Sequence, residues 1–376
     1  MKAIGIILAG GNNKKMAELT YKRAIAAMPI GGSYRSIDFA LSNMTNSRIK
    51  KVAVLTQYSS RSLNEHLNSS KWWDFGRKQG GLFVFTPTIT PQNADWYRGT
   101  ADSIYQNLDF LKKCHEPYVV IASGDGIYKL DYSKVLEYHI QKQADITVVC
   151  KDMPENVDVT RFGLVKTDDD GRITEFEEKP MVATSHTVSC GIYVIRRRHL
   201  IELIEKCAEE DRYDFVRDIL VRYKNLKKIY AYRMDEYWSN ISNVDAYYQT
   251  NMDFLKKDIR DYFFKQAPDI YSKVEDNPPA KYNPGGVAKN SLVSSGCIIN
   301  GYVENSVLFK NVYVGNNCVI KNSVVLNNVY IGDNTRIENC IVESRDTIKA
   351  DAEYIGKPDK IKIVIEKGIR YNQYLN

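Results

Sequence analysis

From residue 308 onward one spacing governs the chain. Leu308, Val314, Ile320 and Leu326 recur every six residues, and Val325, Ile331 and Ile337 repeat that interval in a register slipped by one. Val314-Gly315-Asn316-Asn317 and Ile331-Gly332-Asp333-Asn334 are two copies of one turn. Neither the 3.6-residue period of a helix nor the two-residue alternation of a strand produces this interval. It specifies a parallel β-helix, with one short strand and one turn per repeat. An antiparallel sheet with Asn-rich turns is the competing reading, but it generates no fixed six-residue spacing. A short β-helix has open ends and edges, so a cap or a partner is expected.

The first 265 residues follow another rule. Ile4, Ile6, Ile7 and Leu8 form an apolar run that stops at Ala9-Gly10-Gly11. This reads as a buried strand entering a tight glycine turn, which is where open α/β sheets bind ligands. Glycine there lets backbone amides approach a phosphate without a Cβ between them. Strand runs then alternate with helical patterns: strands at 52–55, 82–85, 119–122, 146–149, 188–195 and 229–234, helices at 99–113, 133–143 and 244–264. Asp168-Asp169-Asp170-Gly171 marks a hairpin. The expected fold is α/β, a doubly wound mixed sheet over 1–265, followed by a Pro/Gly linker over 266–286 and the β-helix over 287–376.

Composition narrows the function. Lys and Arg total 52 against 46 Asp and Glu, with no long basic run. This suits phosphorylated small molecules and argues against nucleic acid. Seven cysteines are scattered with no CxxC, as expected of reduced thiols in the cytosol. No signal-type stretch follows Met1 and no 18-residue apolar run occurs, so a cytoplasmic protein without membrane contact is expected.

The stretch from Leu8 to Ala26 resembles the signature of sugar-nucleotide pyrophosphorylases, LAGGxGxRLxPLTxxRxKP. Its continuation through Gly31 to Ser47, GGSYRSIDFALSNMTNS, resembles the glucose-1-phosphate adenylyltransferases of glycogen and starch synthesis. Further matches follow in order: Trp96-Tyr97-Arg98-Gly99-Thr100-Ala101-Asp102, Phe162-Gly163, Phe176-Glu177-Glu178-Lys179-Pro180 and Ser189-Cys190-Gly191-Ile192-Tyr193. The resemblance implies that β-helices of this kind are left-handed. It also implies a sugar-phosphate pocket at Tyr97, Gly163, Glu178, Lys179 and Ser189, and a nucleotide loop at Gly10 and Gly11.

The catalytic positions of the resemblance are altered. Asn13 stands for the second loop glycine, Lys15 for an arginine, Glu18 for a proline and Ile25 for a lysine. Asp125, in Ser123-Gly124-Asp125-Gly126, matches the family's magnesium-binding aspartate, while the following histidine is Gly126. The second metal aspartate is Asn240. An amide keeps the shape and removes the charge, so the metal site is expected to rest on Asp125 alone and to be impaired. Lys15 lacks the bidentate fork of arginine, and Ile25 is a hydrocarbon in place of a cation.

Within the family the chain resembles the GlgD-type companion subunit. That resemblance implies a regulatory subunit binding no cofactor productively and joined to a catalytic homologue, in a tetramer, that uses Mg2+. Lys22, Arg23, Arg35, Gln57 and Trp96 match positions tied to a phosphorylated effector; the bland readings are a solvated basic loop and a core tryptophan. Two other readings stay open. One is an active adenylyltransferase whose missing charge comes from Lys14, Lys15 or Lys22, and the other is a stand-alone sugar-phosphate sensor.

Overall fold

The computed structural model describes residues 2–11, 14–76, 80–89 and 95–366. Asn13 lies outside the described residues. The chain divides into two compact units, 1–12 with 39–238, and 13–38 with 239–376.

The first unit is built on a nine-stranded mixed sheet. Its strands are β1 (Ala3–Leu8), β2 (Lys51–Leu55), β3 (Gly81–Phe85), β4 (Tyr118–Ser123), β5 (Ile146–Asp152), β6 (Gly163–Thr167), β7 (Ile173–Glu178), β8 (Thr187–Arg196) and β9 (Ile229–Arg233). The spatial order β3-β2-β1-β4 is wholly parallel. β1 and β4 are buried on both faces, which is why they read as continuous apolar runs. β8 runs antiparallel to β4, β5 and β6, and the hairpin β6–β7 closes the far edge around Gly171. The chain visits β2 and β3 on one side of β1 before crossing to β4 on the other. The switch point of the sheet therefore lies between the carboxyl ends of β1 and β4.

Helices cover the sheet at α1 (Ser36–Asn46), α2 (Arg61–Leu67), α3 (Thr100–Tyr105), α4 (Leu108–Lys112), α5 (Tyr132–Gln141) and α6 (Arg197–Glu209). The helix expected over 99–113 is broken in two. Asn107 is the cause: its side-chain amide donates to the Ser103 carbonyl and to the Tyr97 hydroxyl, at 2.8 and 2.9 Å. The helix expected over 244–264 likewise divides into α7 (Val244–Asp253) and α8 (Lys257–Phe264) at an extended Lys256.

The second unit contains three sheets of five short parallel strands each, the arrangement of a hexapeptide-repeat left-handed β-helix. Residues 17 apart stack on one another over most of its length, as in Tyr302, Val319 and Arg336. Three hexads make a longer turn than this. The inward ladder runs Leu308, Val314, Ile320, Val325, Ile331, Ile337, Val342, so one step per coil is shortened by a residue at 320–325. That shortening is the register slip seen in the sequence, and it removes Leu326 from the inward row. The linker ends earlier than expected, since Lys281–Tyr282 already pairs with Ile298–Ile299.

The 13–38 segment and α7 belong to this unit for a physical reason. Val307, Val324 and Ile341 alternate with the inward row, yet all three are fully buried. α7 lies on Val324–Val325, and the Tyr248 hydroxyl donates to the Asn322 carbonyl at 2.7 Å. The Tyr247 hydroxyl donates to the Pro29 carbonyl at 2.7 Å.

The turns carry asparagine because the backbone is left-handed there, at Asn311, Asn317, Asn328 and Asn334 among others. The same side chains form ladders: Asn311 donates to Asn328 and Asn317 to Asn334, each at 3.2 Å. Asn328→Ala loses both the favoured conformation and the ladder bond, and is expected to lower unfolding free energy by about 2 kcal/mol. Asn328→Gly, which keeps the conformation, is expected to lose about half of that. Urea unfolding of both variants measures the difference.

Candidate functional site

Three parallel strands of the first unit end together. β1 runs into Ala9-Gly10-Gly11, β2 into Thr56-Gln57, and β4 into Gly124-Asp125. Backbone bonds tie these ends: Ala9 N–H donates to Leu55 O at 2.8 Å, and Gly124 N–H to Leu8 O at 3.0 Å. A Cβ on Gly10 would lie 3.6 Å from Gln57 Cγ, and one on Gly11 would meet nothing, so the loop is open to solvent at Gly11. This is the sheet's switch point, and Gly10, Gly11 and Asp125 all stand at it.

Gln57 acts as a clamp. Its Nε2 donates to Tyr97 O at 3.2 Å and its Oε1 accepts from Tyr97 N–H at 3.0 Å. Tyr97 is buried, and desolvation raises its phenol above the ordinary value. Trp96, by contrast, is 62 % exposed and stacks beside Tyr58 with the two rings nearly parallel. Trp96 is therefore not a core residue. Beyond them, Gly99 leaves room for the Tyr213 carbonyl, which accepts from Ala101 N–H at the start of α3. A Cβ on Gly99 would sit 2.3 Å from that oxygen. Asp102 is buried and accepts from the Arg98 and Gln106 nitrogens, so this motif's aspartate is spent on holding its own turn.

The sugar-phosphate positions come together on three adjacent strands. Gly163 on β6 faces Glu178 on β7, and Val188 on β8 faces Leu164, which sets Ser189 beside Gly163. A Cβ on Gly163 would come 2.9 Å from the buried Phe176 ring and 3.0 Å from Glu178 Oε2, so a larger residue there would have to displace that ring. Between Ser189 and Tyr193 the register of β8 against β5 shifts. Gly191 takes a φ of +70° in this bulge, a conformation that favours glycine. Lys179 Nζ is 3.0 Å from Glu178 Oε1 and its side chain is largely exposed. The Tyr193 phenol is held well above its ordinary value, chiefly by burial, with Glu178 adding and Ser189 opposing. Glycine, carboxylate, hydroxyl and ammonium thus converge as donors and acceptors suited to a phosphorylated sugar.

The two positions that the resemblance ties to a metal carry one carboxylate, Asp125, and one neutral amide, Asn240. Magnesium is held in such sites by one or two carboxylates with substrate phosphates. Asp125 is half-buried, and its Oδ1 accepts from the Ser123 hydroxyl. At Gly126 a Cβ would come 2.9 Å from the Tyr128 ring, so a histidine has no room without displacing that buried side chain. Asn240 belongs to the second unit and supplies a neutral amide, whose Oδ1 accepts from Ser242 N–H at 3.1 Å. Among the described residues no group of three or more His, Cys, Asp or Glu is placed to hold a metal ion.

The remaining positions lie in the second unit. Ile25 is buried, at 6 % exposure, in a short helical turn. Lys15 and Lys22 are exposed, while Arg35 is half-buried and its N–H donates to Asp38 Oδ2 at 2.8 Å. The Arg23 guanidinium is engaged by Glu343 and Ser344. Three supporting residues escaped the sequence: Asn107 under the Tyr97 hydroxyl, Ser123 on Asp125, and Asn43, whose amide brackets the Tyr128 carbonyl and Leu130 N–H. Only Ser123, two residues from Asp125, carried a local signal.

Comparison with known proteins agrees with this geometry. The nucleotidyl transferase family model matches residues 4–257, and the model of the GlmU-like C-terminal hexapeptide matches residues 278–361. The glucose-1-phosphate adenylyltransferase of Clostridium botulinum is 42 % identical over 367 residues, 97 % of this chain and 95 % of the relative. Those of Clostridium acetobutylicum and Pseudothermotoga lettingae are 41 % and 39 % identical, over 84 % and 85 % of this chain and 84 % and 76 % of theirs. The chain belongs to the glucose-1-phosphate adenylyltransferase family.

Proposed function

We propose that this chain is a GlgD-type regulatory subunit of glycogen biosynthesis, with little or no turnover of its own. It joins a catalytic homologue in the cytoplasm, in a heterotetramer, and raises that partner's activity. The partner forms ADP-glucose and pyrophosphate from ATP and glucose 1-phosphate with Mg2+. The observation that carries the reading is Asn240, an amide turned to its own backbone where the family resemblance implies a metal-binding carboxylate. Buried Ile25 supports it, because a hydrocarbon supplies nothing to a triphosphate.

The groups at Gly163, Glu178, Lys179 and Ser189 keep the chemistry to recognise a sugar phosphate. With an amide, Asn240, where the resemblance implies the second metal carboxylate, that recognition serves binding and not transfer. A subunit of this kind acts by stabilising the partner's active conformation through subunit contacts. Phosphorylated effectors acting on such an assembly would do so by the same differential stabilisation.

The test is reconstitution with a catalytic homologue from the same cell. Co-elution in one species larger than either chain, with an increased rate of ADP-glucose formation, is the expected result. Separate elution with an unchanged rate contradicts the proposal and favours a stand-alone sensor.

A further inference from the structure

The parallel strands of the first unit begin at the end of the sheet away from the switch point. A line of paired residues marks that end across β9, β5, β8, β4, β1 and β2: Ile229, Ile146, Ile195, Val119, Ile4 and Lys51. One residue beyond it stand Lys228, Arg196 and Lys50, and Lys2 and Arg198 follow just outside. All five residues are exposed, and none is in an ion pair among the described residues. Asp145 and Glu116 share this rim but are already engaged. Asp145 Oδ2 accepts from Lys228 N–H at 2.8 Å, and Glu116 pairs with Lys51 at 3.3 Å. Arg197 fixes the turn beside them, donating from Nε to the Glu116 carbonyl at 2.9 Å and from a terminal nitrogen to the Leu111 carbonyl at 3.1 Å. The positive field reaches the histidines beneath. His139 is lowered to about 4, by burial first and Arg196 second, and His199 is lowered by burial and then by Lys227.

Neighbouring strands lie about 4.8 Å apart, so Arg196 stands two strands, about 10 Å, from both Lys228 and Lys2. An extended peptide advances about 10 Å in three residues, which brings carboxylates at that interval into step with these cations. Duplex DNA carries a charge about every 1.7 Å of its axis, far denser than this rim. The cations also follow a line of strand ends, which suits an extended chain and not a planar lipid surface. We propose that this rim is a docking surface for an acidic, extended segment of a partner protein, lying across the strand starts. Such a segment is steered and held in register by charge. The rim lies at the opposite ends of β1 and β4 from Gly10 and Asp125, so a bound segment leaves the switch point open. This inference stands apart from the proposed regulatory role, because its readout is peptide binding and not turnover.

Fluorescence anisotropy of a labelled oligoglutamate peptide, titrated with the full chain at low salt, tests it. The unaltered chain is expected to bind the peptide, with an affinity that falls steeply as salt rises. Lys50→Gln/Arg196→Gln/Lys228→Gln is expected to bind at least about tenfold more weakly. Lys349→Gln/Lys357→Gln/Lys360→Gln makes the same change in net charge at exposed lysines of the second unit, and is expected to bind as the unaltered chain does. No binding by the unaltered chain, or an equal loss in the two triple variants, overturns the proposal. So does tighter binding to duplex DNA of equal total charge, or to vesicles containing phosphatidylserine, than to the peptide.

Discussion

Glu343→Ala is expected to lower the unfolding free energy by about 3–5 kcal/mol, because it strands a nearly buried guanidinium. The magnitude follows from the surroundings and not from the pair alone. Arg23 and Glu343 are each about nine-tenths covered. Surface pairs such as Lys166–Glu175, both about half exposed, are expected to contribute no more than about 1 kcal/mol. Arg23→Met, which removes the charge and keeps much of the stem, strands the carboxylate instead and is expected to cost a similar amount. Replacing both partners by apolar residues is expected to cost much less than either single change. Urea unfolding of the two single variants and the double variant separates these terms. Near-additive costs would show that the pair is not coupled.

The second large effect concerns turnover. Removing one preorganised group that stabilises transition-state charge costs about 10²–10³ in rate. At two positions where the family resemblance implies a charged group, this chain carries an amide, Asn240, and a buried hydrocarbon, Ile25. Losses at one reaction centre do not multiply fully. Even so, ADP-glucose formation by this chain alone is expected to fall at least about 10³-fold below that of a relative with the intact residues. The residues proposed to bind the sugar phosphate are not expected to compensate, since uniform binding of ground state and transition state does not raise turnover.

Legibility of the fold followed the range of the interactions. The glycine turn after β1 and the six-residue spacing are local, and both could be read from a short window of sequence. The five-residue step at 320–325 was visible as a slip in the apolar register, but its meaning required the stacking of residues 17 apart. Asn107 broke an expected helix because its amide serves Ser103 and Tyr97 together, and only the first of these is a helix neighbour. The Glu178–Gly163–Ser189 grouping was legible as separate motifs, while their adjacency rests on strand pairing. Trp96 was open between an effector-linked position and a core residue, and the structure exposes it. The Arg23–Glu343 pair had no sequence signal at all. It joins residues 320 apart, one of them in a turn of the β-helix that carries no motif.

The central claim is that this chain keeps a sugar-phosphate pocket without the groups that perform nucleotidyl transfer. The direct measurement is ADP-glucose formation from ATP, glucose 1-phosphate and Mg2+ by the purified chain alone, beside a relative with both aspartates as the reference. The account predicts no turnover above about a thousandth of the reference at any magnesium concentration. Turnover within about tenfold of the reference, dependent on magnesium and lost in Asp125→Asn, would contradict it and establish that the chain is an enzyme with a rebuilt phosphate site.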